Sequence, residues 1–256
     1  MSELLLVLLA GVAAGVLNAV GGGGTFVALP ALVAVGLPPV TANAASTIAL
    51  VPGSVAGAWV CRREIPQVGT VSTTELSTAS ALGGGLGAGL LLALPSTTFD
   101  AAVPWLLAFA TLVLAFGRRA SAALSRGPGR RPGMGPRALL LGQFLLSVYG
   151  GYFGGAVGIL MLALWGLTLG LDPATANPMR IVQVAAAYLS ASALFLLASD
   201  ALATPLFLTT MLTGALAGGY LGAHLALRLP ARALRTIVLT TAVTMTALYF
   251  LRALDD

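Results

Sequence analysis

The chain has 256 residues, of which 58% are hydrophobic and 8% charged, and its mean hydropathy is +0.97. A soluble domain carries about a quarter of its residues charged, so this chain is neither a soluble globule nor a disordered segment, because neither keeps so much apolar surface in water. It reads as a polytopic membrane protein. Its net charge of +5 is no nucleic-acid footprint, since six of its 13 arginines lie between Arg118 and Arg137 and the others sit mostly at the ends of apolar runs, where topology-setting charge belongs. The start, Met1-Ser2-Glu3 and then apolar at once, lacks a basic region and reads as a first membrane segment rather than a cleaved leader.

A helix needs about 20 apolar residues to cross a hydrocarbon core of about 30 Å. Ten apolar segments are expected, over 4–20, 25–36, 41–60, 74–94, 101–117, 138–153, 156–170, 174–198, 204–229 and 233–251. The breaks between them are turn chemistry: Gly21-Gly22-Gly23-Gly24, Leu37-Pro38-Pro39, Pro95-Ser96, Leu171-Asp172-Pro173 and Leu229-Pro230. The first two segments, and the sixth and seventh, are short pairs, each split by a Gly-rich break. Such pairs at matching places in two halves point to the binding site of a transporter.

The halves match in sequence. Gly36-Leu37-Pro38-Pro39-Val40-Thr41-Ala42-Asn43 recurs as Gly170-Leu171-Asp172-Pro173-Ala174-Thr175-Ala176-Asn177, an offset of 134 residues that also carries Gly21 onto Gly155 and Gly24 onto Gly158. At an offset of 135, Gly84, Gly87 and Pro95 fall on Gly219, Gly222 and Pro230. This is an internal duplication with about five apolar segments per half: a first repeat over 1–117, a basic Pro/Gly-rich linker over 118–137 and a second repeat over 138–256.

Basic residues favour the cytoplasmic side, which puts the 118–137 loop inside. Counting outward from it puts Arg62-Arg63 and the Arg228–Arg235 cluster inside as well, and both termini outside. The loop at Pro95 is then external and its mate at Pro230 internal, so the two repeats are expected to have inverted topology about an axis in the membrane plane.

Within lipid every backbone N–H and C=O needs a partner, so a Gly-rich break is tolerated only where it is buried or lines a cavity. Gly22, Gly23, Gly24 and the Gly150–Gly155 stretch, with Gly154 and Gly155, are such breaks. Successive glycine N–H groups and the positive end of a following half-helix suit an anion, and Thr25 adds a hydroxyl; the competing reading is close helix packing. Asn43 and Asn177, each just past a proline-containing turn, read either as helix caps or as ligands, and Ser46 and Thr47 lie near the face of Asn43. Arg180 stands about two turns inside the eighth segment, with Gln183 one turn on; its repeat mate is Ser46. A charge inside the membrane marks function by default and an Arg fork suits oxyanions, unless the side chain snorkels to the surface. His224, Glu75 and Cys61 read as bystanders, and Trp59, Trp105, Trp165 and Tyr249 as interface anchors. One His and one Cys leave no metal set, no catalytic constellation is present, and no cofactor is expected.

The run Val20-Gly21-Gly22-Gly23-Gly24-Thr25-Phe26-Val27, then Leu29-Pro30 and Gly36 to Asn43, resembles the TauE/SafE sulfite exporter family, also called DUF81 or TSUP permeases, and the second half repeats the pattern in weakened form. The resemblance covers nearly the whole chain. It implies a bacterial inner-membrane permease for small sulfur-containing anions, sulfite or organosulfonates. Two departures from the family's pattern fall in the second half: Tyr152, Phe153, Ala156 and Val157 interrupt the glycines, and Arg180 stands where the first half has Ser46.

The expected protein is therefore an all-α, multi-pass secondary transporter working by alternating access, and not an enzyme. Its expected site takes Gly22, Gly23, Gly24, Thr25, Asn43, Ser46, Thr47, Gly154, Gly155, Asn177, Arg180 and Gln183. A passive anion channel and a non-transporting membrane scaffold are the alternatives. The expected partners are a small anion and the lipid bilayer, with no nucleic acid; a homodimer is left open, and so is the coupling ion, H⁺ or Na⁺.

Overall fold

The structure is a computed structural model that describes residues 2–125 and 135–226, and beyond them residues 236, 240, 243, 244 and 247. Its named elements are all helices: α1 (Ser2–Gly21), α2 (Thr25–Ala34), α3 (Pro39–Cys61), α4 (Thr73–Ala93), α5 (Ser96–Ser125), α6 (Pro136–Tyr152), α7 (Val157–Leu169), α8 (Pro173–Ala198) and α9 (Pro205–Ala226), with a 3-10 turn over Asp200–Ala203 before α9. Each of the first nine expected segments corresponds to one of these helices. The tenth, the Arg228–Arg235 cluster, Tyr249 and the C-terminus lie outside the described residues, as does the 126–134 part of the linker. Helix α5 runs on to Ser125, into the start of that linker.

Among the described residues, α1, α3, α4, α8 and α9 are long and apolar enough to cross a membrane. The surface is apolar as well as the core, and a few polar side chains are buried within that core. Leu9, Leu82, Trp105 and Leu197 are exposed, while Asn18, Asn43, Gln143, Arg180 and Gln183 are buried. This chain is a membrane protein.

The helix starts are set locally. Ser72 and Glu75 form a reciprocal cap at the start of α4: Glu75 N–H donates to Ser72 Oγ (3.2 Å), and Ser72 N–H donates to Glu75 Oε2 (2.8 Å). At α8 the cap is Asp172, which accepts from the N–H groups of Ala174 and Thr175. Asn43 and Asn177 lie inside α3 and α8 and cap neither, so the capping reading of these two asparagines is not what the fold uses. Gly36 and Gly170 close α2 and α7 with left-handed backbones (φ +94° and +69°).

The packing pairs helices across the two halves of the sequence. Helix α9 packs on α1 and α3, and α4 packs on α6 and α8. The closest approaches are at glycines. Gly11 faces Met211 and Ala215, and Gly15 faces Ala215 and Gly219, so α1 and α9 run the same way. Gly53 faces Gly219 and Gly57 faces Ala223, which aligns α3 with them. In the same fashion Gly83 and Gly87 of α4 meet Ser147 and Val148 of α6, and Gly84 and Gly85 meet Ala187 and Ser190 of α8. Only residues 199–204 join α8 to α9. A link that short, about 3.3–3.6 Å per residue at full extension, cannot return the chain along a 26-residue helix of about 39 Å. The bundle α1/α3/α9 and the bundle α4/α6/α8 therefore run in opposite directions.

A Cβ on Gly87 would collide with the Val148 carbonyl, whereas one on Gly89 meets nothing within 4 Å. Overpacking of this kind costs about 1–3 kcal/mol. Gly87→Ala is expected to lower the melting temperature in detergent and Gly89→Ala to leave it unchanged; equal melting for both would remove the packing role assigned to Gly87.

Two expectations for aromatic residues are separated here. Trp59 is 67% exposed, with the Arg62 guanidinium over its ring at 4.1 Å, and Trp105 is 70% exposed, as interface anchors require. Trp165 is wholly buried and is not an anchor: α7 is enclosed by its neighbours rather than facing lipid.

Candidate functional site

The chain leaves α1 at Gly21 and re-enters a helix at Thr25; it leaves α6 at Tyr152 and re-enters at Val157. The first break has one left-handed residue, Gly22 (φ +74°), and the second has two, Gly154 (φ +79°) and Ala156 (φ +59°). Gly22 and Ala156 are 134 residues apart, so a left-handed residue recurs at the offset seen in the sequence, although the second is not a glycine.

The two breaks meet. A Cβ on Gly22 would lie 2.8 Å from Gly158 Cα and 2.9 Å from Arg180 Nη1. A Cβ on Gly154 would lie 2.9 Å from Thr25 Oγ1. The starts of α2 and α7 thus arrive at one buried region, each beside the other half's break. A helix start presents N–H groups without intrahelical partners and the positive end of the helix dipole. Among the described residues, the N–H groups of Gly24 and Thr25 and those of Val157 and Gly158 find no carbonyl. The Thr25 hydroxyl is buried beside the Tyr188 hydroxyl and makes no close hydrogen bond among the described residues.

Carbonyls at the ends of α1 and α6 accept from side chains across the molecule, the Asn18 carbonyl in addition to the Gly22 N–H (2.9 Å), and the two caps are related. Asn43 on α3 donates through Nδ2 to the Tyr152 carbonyl at 3.0 Å. The corresponding positions 134 residues apart are Asn177 on α8 and Asn18 on α1. There Arg180 stands between them: its Nε donates to Asn177 Oδ1 (2.8 Å), its Nη1 to the Asn18 carbonyl (2.9 Å) and its Nη2 to the Ala19 carbonyl. A cation at the C-terminal end of α1 complements the negative end of that helix dipole. Arg180 is fully buried and does not snorkel, and no carboxylate pairs with it among the described residues. Three of its five N–H groups are engaged, which leaves two.

The remaining expected residues are placed as follows. Gly23 accepts from Phe26 N–H, and Gly24 backs onto Ala14 and Asn18 of α1. Ser46 and Thr47 both donate to the Asn43 carbonyl (2.9 and 3.0 Å), so their protons stay within α3. Gly155 lies against the Phe153 ring. Gln183 turns from the breaks toward α4, accepting from Ser80 Oγ at 2.9 Å and donating to Ser77 Oγ at 3.2 Å; Gln143 of α6 donates to Ser80 at 2.8 Å. Gly22, Thr25, Gly154, Asn177 and Arg180 are brought together around the breaks, Asn43 holds the α6 end, and Gln183 belongs to a separate polar chain.

Sequence reasoning passed over Asn18 and Tyr188, and took Gly158 only as the counterpart of Gly24. Asn18 donates to Ser54 Oγ (2.8 Å), and Tyr188 donates its hydroxyl to the Gly154 carbonyl (2.7 Å). Both are polar groups inside apolar segments, which is the signal that could have found them. His224, exposed at the end of α9, contacts the Tyr220 carbonyl at 2.9 Å and has no link to the breaks.

The arrangement offers buried N–H donors, a hydroxyl and a guanidinium with two donors in hand, around two half-helix starts. It is suited to a small oxyanion. One family model, described as sulfite exporter TauE/SafE, matches residues 7–249. No curated protein matches the chain.

Proposed function

The chain belongs to the sulfite exporter TauE/SafE family, and on that basis we propose that it is a secondary transporter carrying a small sulfur-containing anion, sulfite or an organosulfonate, across the bacterial inner membrane by alternating access. The observation that carries this reading is a fully buried guanidinium, without a carboxylate partner among the described residues, beside the starts of two half-helices. A buried charge is costly unless compensated, and a bound anion compensates it. Half-helix starts aimed at an anionic substrate are the device transporters use near the bilayer centre. Anion ligands in this reading are Arg180, Thr25 and the N–H groups of Gly24, Val157 and Gly158, with Asn177 orienting Arg180.

The chain is read as two inverted repeats, over 1–117 and 138–256, joined by a cytoplasmic linker, with the Arg62 end of α3 inside. Three observations support this. The repeat mates α1 and α6, α3 and α8, α4 and α9 run in opposite directions. The contact of Gly84 with Ala187 has its counterpart in Gly219 with Gly53, at offsets of 135 and 134. The Asn43 cap on the α6 end corresponds to the Asn177–Arg180 cap on the α1 end.

The test is ligand-induced thermal stabilisation of the detergent-purified protein with sulfite, sulfate, thiosulfate, sulfoacetate, taurine, acetate and malonate. A ligand bound only by the folded state stabilises it by about 2.7 kcal/mol at 100 times Kd. A selective rise with sulfite or a sulfonate is expected. A rise with carboxylates alone would overturn the sulfur assignment, and silence across the panel would favour the scaffold.

A further inference from the structure

The two sequence repeats are not the two packed units. Each bundle borrows one helix: α9 of the second repeat sits with α1 and α3, and α4 of the first sits with α6 and α8. Within each bundle the contacts are backbone against backbone at glycines, which leaves no room for sliding. The α4/α6/α8 bundle is held further by the buried chain Gln143–Ser80–Gln183–Ser77. At an offset of 134 or 135 these positions fall on Leu9, Ala215, Ala49 and Leu212, so this staple is not repeated at the matching positions of the other bundle, whose own buried side-chain bond is Asn18–Ser54.

Between the bundles the contact is sparser and polar at its two ends. Toward the Pro39 end of α3, Asn43 reaches Tyr152 of α6. Toward the Cys61 end, where Gly57 faces Ile181 of α8, Arg180 reaches Asn18 and Ala19 of α1. Both links join one bundle to the other, and both grip the loose end of a broken helix.

We propose that the bodies that move against each other are the bundles α1/α3/α9 and α4/α6/α8, not the sequence repeats, and that Asn43–Tyr152 and Arg180–Asn18/Ala19 are the latches closing the two ends of the path between them. This rests on the transporter reading. The latches are unequal: one hydrogen bond from the Asn43 amide holds one end, and a charged fork donating to two carbonyls across the interface holds the other. Since charge-assisted hydrogen bonds are roughly twice as strong as neutral ones, the Arg180 end is the harder to open, which gives an otherwise two-fold mechanism a preferred resting state.

Gly57 lets both halves of the claim be tested from one position. A Cβ there lies 3.6 Å from Ala223 Cβ within its own bundle, and 3.3 Å from Ile181 Cγ2 in the other. The first spacing is in the disulfide range of about 3.5–4.5 Å, and the second falls close to it once the one-bond step from Cγ2 back to Cβ is counted. In a Cys61→Ser background, Gly57→Cys with Ala223→Cys, once oxidised, is expected to retain at least about half of the sulfite uptake of its reduced form in proteoliposomes. Gly57→Cys with Ile181→Cys is expected to lose at least about ten-fold on oxidation and to regain it on reduction. Loss in the first pair, or retention in the second, overturns the proposal; in either case uptake by the reduced proteins shows that the transporter reading stands. A second measurement does not depend on uptake. Spin labels at Val55 and Leu221 are expected to report one distance with and without sulfite, and labels at Val55 and Leu189 two. A single distance for both pairs, or two for the first, sinks the moving bundles whatever the substrate is.

Discussion

Replacing Arg180 by methionine is expected to lower the affinity for the transported anion by at least about 100-fold while leaving the melting temperature within a few degrees of the parent. The affinity term follows from the donors that remain. Nε, one Nη1 proton and one Nη2 proton are engaged by Asn177 and by the Asn18 and Ala19 carbonyls, leaving two N–H groups for a ligand. Each hydrogen bond to a charged group contributes about 1.5–3 kcal/mol, so loss of two exceeds the roughly 2.7 kcal/mol that 100-fold represents. The stability term is a near-cancellation. Methionine leaves the Ala19 carbonyl unpaired, at about 1–3 kcal/mol, while the Asn18 carbonyl keeps the Gly22 N–H; it also removes a fully buried charge whose desolvation costs several kcal/mol. Arg180→Lys keeps the charge on a single nitrogen with three donors, too few to hold the α1 end and the anion together, and an intermediate loss of about ten-fold is expected. Thermal shift and uptake with sulfite check both variants. If Arg180→Met binds sulfite within threefold of the parent, Arg180 is a helix clamp and not an anion ligand.

Arg180 also shows what the sequence could and could not disclose. Its position was legible, a charge two turns into an apolar segment, but the sequence alone does not decide whether it stays buried or snorkels to the surface. Its partners were not legible: two of the three are main-chain carbonyls 161 and 162 residues away, and a carbonyl has no residue type. The recurrence of Gly36–Asn43 at Gly170–Asn177 was legible because turns and close approaches demand Gly, Pro and Asn at fixed places, as at Gly36 and Gly170. The exchange of α4 and α9 between bundles was not, since a stripe of small residues such as Gly83, Gly84 and Gly87 says that a helix packs closely but not on which neighbour. Gln183 was misleading for a related reason. It shares a helix face with Arg180 at a spacing of three, yet Ser77 and Ser80 on α4 draw it away from the breaks.

Gly22→Ala is expected to abolish transport to below about 1% of the parent rate, whereas Gly36→Ala is expected to cost less than about threefold, although both glycines have left-handed backbones. The left-handed conformation costs an alanine about 1–2 kcal/mol at either position. At Gly36 that is the whole penalty, because a Cβ there meets nothing within 4 Å. At Gly22 the new methyl would stand 2.8 Å from Gly158 Cα and 2.9 Å from Arg180 Nη1. Overlap of that kind costs about 1–3 kcal/mol more, and the only relief is to part the two helix starts or to push the guanidinium off the α1 carbonyls. Either movement undoes the arrangement that would bind the anion, so the cost is expressed in function before it is expressed in folding. Uptake of sulfite into proteoliposomes, with melting temperatures measured alongside, separates the two. Equal damage from both substitutions would mean that backbone strain alone matters, and that the meeting of Gly22 with Gly158 is incidental to transport.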